Sequence, residues 1–151
     1  MRAIDYLNRI KMMDAKIETK MEEVERLRTL AEKTTASIGG ERVQASGSQT
    51  KLEDCVIKIM QAQEEINASI DRFVDYKKEA MELIDRSCDA DCIKLLYKRY
   101  FSYMKWEEIA VDMSYTYQWI SGGLHQRALS QVQKALDERS RNDRGTENCG
   151  T

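Results

Sequence analysis

A chain of 151 residues with 33% charged side chains, 7% aromatic ones and no proline suits long solvated helices, which excludes a compact β-sandwich or barrel. Its net charge of −2 excludes a nucleic-acid or membrane binder that is cationic throughout, although charge can still be segregated along the chain. No stretch approaches the roughly 20 apolar residues that span a bilayer, and no secretory leader precedes Cys55, Cys88, Cys92 and Cys149, so the sequence predicts a cytoplasmic protein with reduced thiols and no membrane partner.

Residues 1–35 contain almost no helix breakers, and Ile10, Met13, Ile17, Met21, Val24, Leu27 and Ala31 recur in steps of three or four. That spacing predicts one long helix with a single apolar stripe. Gly39, Gly40, Gly47 and several serines interrupt the periodicity, which predicts a loop over about 36–50. Thr50 followed by Glu53 fits a capping box at the start of a second helix. Leu52, Val56, Ile59, Ile66, Ile70, Phe73, Ala80 and Ile84 then trace a near-heptad seam, broken by Gln63 and Lys77. Two such helices bury their stripes most economically as an antiparallel hairpin over 1–86, or against a second copy of the chain.

The SCDAD stretch at 87–91 ends this helix, with Asp89 or Asp91 placed to cap the next. Ile93, Leu96, Tyr97, Tyr100 and Met104 form a further stripe and open a compact unit over 87–138. Beyond about Leu136 the sequence turns small and polar, which predicts a flexible tail over 139–151.

Within that unit, WEEIAVDMSYTYQWISGGLHQRAL (106–129) has the texture of two short helices around a turn. Ile109 and Met113 are placed to anchor the first, and the small Ala110 permits close approach of the second. Ser114 and Tyr115 fall at the turn, and the Thr116 hydroxyl suits a helix start. Ile120, Leu124 and Ala128 lie four apart on a core face; Tyr117, Gln118 and Ser121 point elsewhere near the helix start. Trp106 and Trp119 are read as core residues bracing the motif.

LLYKRYF at 95–101, WEEIA at 106–110, YTYQW at 115–119 and LHQRAL at 124–129 resemble the promoter-reading C-terminal region of bacterial sigma factors. They more closely resemble sigma-like regulators of phages and prophages, including late-gene activators. The long N-terminal hairpin with its GGERVQASGS loop is similar to the same family. The resemblance implies an all-α fold, a sigma-like helix-turn-helix, sequence-specific binding of double-stranded DNA in transcription, and no catalysis. It makes RNA polymerase, and a second copy of the chain bound through the hairpin, candidate partners. Two features depart from the pattern. Ile120 and Leu124 are four apart where relatives use a step of three, with Gly122 and Gly123 between them, which predicts a kink, a bulge or a shortened helix. Lys105 also stands where serine, threonine or aspartate would cap better.

Charge runs with this reading: Lys94 to Lys134 carries six basic and three acidic residues, whereas 1–86 carries 15 basic and 17 acidic ones. The candidate DNA contacts are Lys105, Thr116, Tyr117, Gln118, Ser121, His125 and Arg127. Lys105, His125 and Arg127 are candidates for phosphate, Gln118 for the major-groove edge of adenine. With His125 the single histidine, and Cys88 and Cys92 distant in sequence from the other cysteines, no metal site, cofactor or catalytic centre is predicted. Two other readings remain: a coiled-coil adaptor that binds a protein without DNA, and the DNA-recognition subunit of a phage packaging machine, which would assemble as a ring.

Overall fold

The computed structural model describes residues 1–38 and 45–147, and among these there are helices and no strand. The five α-helices are α1 (Ala3–Ile38), α2 (Ala45–Ser87), α3 (Ala90–Leu96), α4 (Trp106–Met113) and α5 (His125–Glu147). Two π-helical turns accompany them: Tyr97–Phe101 continues α3, and Trp119–Leu124 leads into α5. No described helix is long and apolar enough to cross a membrane.

Both long helices outrun their sequence boundaries. α2 begins at Ala45, so Thr50 and Glu53 lie inside it instead of capping it, and of the expected loop only 39–44 falls outside the described residues. α5 runs to Glu147, which replaces most of the expected tail with helix; residues 148–151 lie outside the described part. Absence of proline permits both extensions, since neither small nor polar residues force a helix to stop.

The chain divides into two compact units, one of Met1–Met12 with Asp75–Thr151 and one of Met13–Val74. In the Met13–Val74 unit α1 and α2 run antiparallel. Lys20 reaches Ser69 (3.4 Å) and Glu65 (3.6 Å), while Met13 and Lys16 share a cleft with Arg72. Among its described residues, Ile17, Val24, Cys55 and Ile66 are buried hydrophobic positions. The seam on α2 is therefore not the expected one. Cys55 and Ile66 face inward with the half-buried Ile59, Ala62, Ser69 and Phe73, whereas Val56 and Ile70 are exposed. Met21 on α1 is likewise exposed. The inward positions include the small Cys55, Ala62 and Ser69, which a stripe of large apolar residues does not detect.

The other unit is densely packed. Leu7, Ile10, Ile84, Leu95, Leu96, Ile109, Ile120, Leu124 and Val132 are all essentially inaccessible. At its edge the Tyr6 and Tyr76 rings stand 5.2 Å apart, and the Tyr76 hydroxyl donates to the Tyr6 carbonyl (2.8 Å). α5 ties the start of α1 in place, because the first helical amide, Ala3 N–H, donates to Gln133 Oε1 (2.7 Å) and Gln133 Nε2 donates to the Met1 carbonyl (3.2 Å). The Ala3 N–H is one of the amides that a helix start otherwise leaves without a partner.

Candidate functional site

The C-terminal elements that hold the candidate residues are organised from Asp89. Its carboxylate caps α3 by accepting from Cys92 N–H (3.1 Å), and also accepts from Gln131 Nε2 (2.8 Å) on α5. Its own N–H donates to Gln131 Oε1 (3.2 Å), so backbone and side chain both engage the same glutamine. The hydrogen bond from Gln131, then that from Cys92, hold the Asp89 carboxyl down to about 2. Arg127 completes the group at 2.8 Å from Asp89. Of the two candidate caps, Asp89 takes the role; Asp91 instead accepts from the Tyr115 hydroxyl (3.0 Å).

Lys105 stands at the N-cap of α4, and its backbone N–H donates to Glu108 Oε2 (2.9 Å). Half of a capping box thus forms without a capping side chain at Lys105. The helix ends sharply. Ser114 adopts a left-handed conformation (φ 57°), and the Tyr115 N–H donates to the Ala110 carbonyl (3.0 Å), closing a wide last turn. Serine is uncommon in this conformation, which is the usual device for stopping a helix. Thr116 then accepts from Trp119 N–H (3.3 Å) through its hydroxyl, and the chain is helical again from residue 117. The connection between the helices is three residues long.

The following helix is wound through its π turn, which resolves the step of four between Ile120 and Leu124. Wider winding accommodates one residue more per turn, so Ile120, Leu124, Ala128, Val132 and Leu136 all return to the buried face at intervals of four. Of the expected kink, bulge or shortening, the helix shows the bulge. Gly123 is required there for close approach: a Cβ at this position would collide with the Trp119 indole, while Gly122 has open space around it. Trp119 is consequently not a core residue. Its ring lies over Gly123 on the outer side, and the residue is 43% exposed.

The seven candidate contacts separate accordingly. Thr116, Tyr117 and Gln118 are exposed at the start of the helix, and Lys105 is exposed at the start of α4. Ser121 is half-buried and donates its hydroxyl to the Tyr117 carbonyl (2.9 Å), so it is engaged with its own helix. Arg127 is exposed but ion-paired with Asp89. His125 is a correction: only 8% exposed, it bonds through Nε2 to the Tyr100 hydroxyl (2.8 Å) and meets the edge of Trp106 at 4.7 Å, so it faces the core and not a phosphate. Burial, with the Arg99 charge a lesser cause, brings its imidazole down to about 4, so the ring is neutral at pH 7. Arg99 itself stacks over Trp106 at 4.3 Å and donates to the Met104 carbonyl (3.0 Å).

Sequence reasoning missed the apolar character of the outer surface. Val111, Tyr115, Tyr117 and Trp119 are all exposed on α4 or just after it. Basic charge is also less available than a residue count suggests, since Lys98 pairs with Asp112 and Arg127 with Asp89. The thiols of Cys88 and Cys92 are raised by burial, that of Cys92 to about 12, which keeps both protonated at neutral pH. Among the described residues no cluster of histidine, cysteine, aspartate or glutamate is arranged to hold a metal ion. No family model, no curated protein and no solved structure matches the chain.

Proposed function

We propose that the protein is a sequence-specific DNA-binding transcriptional regulator, a sigma-like helix-turn-helix protein of the phage late-gene activator kind, which binds duplex DNA and catalyses nothing. The observation that carries this reading is the three-residue connection after α4. The left-handed Ser114 and the Thr116 cap set a new helix whose first side chains, Tyr117 and Gln118, are exposed while Ile120 and Leu124 anchor its rear. A recognition helix needs that division, with a buried back and leading residues available to base edges. Gln118 then pairs with the adenine edge in the major groove, and Lys105 contacts phosphate. Arg127 orients the helix through Asp89, and His125 supports it from the core.

Selection from a random duplex pool followed by fluorescence anisotropy tests the proposal. Gln118→Ala is expected to lose about 1–3 kcal/mol of discrimination at one base pair. Lys105→Ala is expected to weaken all duplexes evenly and lower the salt slope by about one. Failure to enrich any sequence, or binding indifferent to salt, overturns the reading. One observation favours an adaptor that binds a protein without DNA: Val111, Tyr115, Tyr117 and Trp119 expose more apolar surface than phosphate or base contacts need, which suits a protein partner. Substitution of Val111 by glutamate separates the two: an adaptor loses its protein partner and binds no duplex before or after the change, whereas a regulator keeps its DNA affinity.

A further inference from the structure

The Met13–Val74 unit carries a second apolar stripe that no other part of that unit covers. On α2, Val56 (45% exposed), Met60 (63%), Ile70 (37%) and Val74 (54%) are joined by the polar Gln63 and Asn67. These six positions advance by four, three, four, three and four, the spacing of a coiled-coil seam. Each lies one residue after a member of the inner seam formed by Cys55, Ile59, Ala62, Ile66, Ser69 and Phe73. One residue turns a helix by about 100°, so α2 has two adjacent packing faces, one against α1 and one open to solvent.

The open stripe is symmetric about residue 65. Val56 and Val74 are equidistant from that point, as are Met60 and Ile70, and as are Gln63 and Asn67. Laid antiparallel against an identical stripe, valine meets valine, methionine meets isoleucine, and glutamine meets asparagine, with each first seam position facing a fourth. An isologous contact requires that kind of self-complementarity. At its centre Gln63 Nε2 donates to Asn67 Oδ1 within one helix (3.3 Å), and across the two-fold each glutamine stands opposite an asparagine. Polar residues inside an apolar seam fix register, since any slip leaves them facing hydrocarbon. Ile57 adds exposed apolar surface at one end, and among the described residues the unit buries fewer large apolar side chains than it exposes.

We infer that α2 mediates a homodimer in which the Val56–Val74 stripe packs antiparallel on the same stripe of a second copy, with the two-fold axis at residue 65. The inference stands apart from the DNA reading and survives its failure. Sedimentation equilibrium of the full chain across the micromolar range is expected to give 35 kDa, twice the 17.5 kDa of one chain. Met60→Lys and Ile70→Glu are each expected to give 17.5 kDa with unchanged helical circular dichroism. Mixing these two variants is expected to restore 35 kDa, because antiparallel packing places the introduced ammonium against the introduced carboxylate and leaves the other methionine–isoleucine pair native. A monomeric or ring-forming wild type, single variants that remain dimeric, or a mixture that fails to recover would each overturn the inference. Parallel packing gives no rescue, since each introduced charge would then face hydrocarbon.

Discussion

The two units use the same kind of helix to different ends. The unit of Met1–Met12 and Asp75–Thr151 closes a core of its own, with nine large aliphatic side chains from Leu7 to Val132 essentially inaccessible. In Met13–Val74 the buried set is Ile17, Val24, Cys55 and Ile66, while Met21, Leu30, Val56, Ile57, Met60, Ile70 and Val74 are exposed. A two-helix arm has one seam and cannot bury a second face by itself; a unit of several crossing helices supplies its own partners.

The largest test of this contrast is truncation of buried leucine or isoleucine. Leu96→Ala or Ile120→Ala is expected to cost about 2–5 kcal/mol in urea unfolding, because neither site can collapse around the void. Ile17→Ala is expected to cost less, and its cost should vary with protein concentration if the arm is held by a second copy. Equal and concentration-independent losses at both places would remove the distinction.

Acid should act on the C-terminal unit first. The His125 imidazole is held at about 4 in the folded chain, so an unfolded chain with the ordinary value near 6.5 takes up the proton earlier. The stability this neutral ring provides is complete above pH 6.5 and falls as the pH drops toward 4, by about 3 kcal/mol in total. His125→Gln is expected to flatten that slope in a series of thermal melts. Asp89, held at about 2 chiefly by Gln131, adds a further loss only as the pH falls below the ordinary carboxylate range.

The glycine pair sharpens the picture inside the π turn. Gly123→Ala forces the Trp119 indole off its seat and is expected to cost about 1–3 kcal/mol. Gly122→Ala meets open space and is expected to stabilise by up to about 1 kcal/mol. Pairing Gly123→Ala with Trp119→Ala should recover much of the loss, and a double variant as unstable as the single one would count against this account of Gly123. Smallest of all is Thr116→Ala, expected to cost about 1 kcal/mol through the lost cap.

Sequence alone established that the described chain is helical, that α1 is long, and that Ile109, Ala110, Ile120, Leu124 and Ala128 are core positions, because apolar periodicity and the lack of proline act locally. The cap at Thr116 was legible for the same reason. Tertiary packing decided the rest. Whether α2 turns Cys55 or Val56 toward α1 depends on how closely two backbones approach, and a stripe with apolar residues at both positions leaves that choice open. His125 became a core residue only because Tyr100 and Trp106 converge on it from other elements, and Trp119 moved outward only because the chain widened into a π turn over a glycine. Local pattern sets which faces a helix has; which of them is covered is an energy shared among segments far apart in sequence.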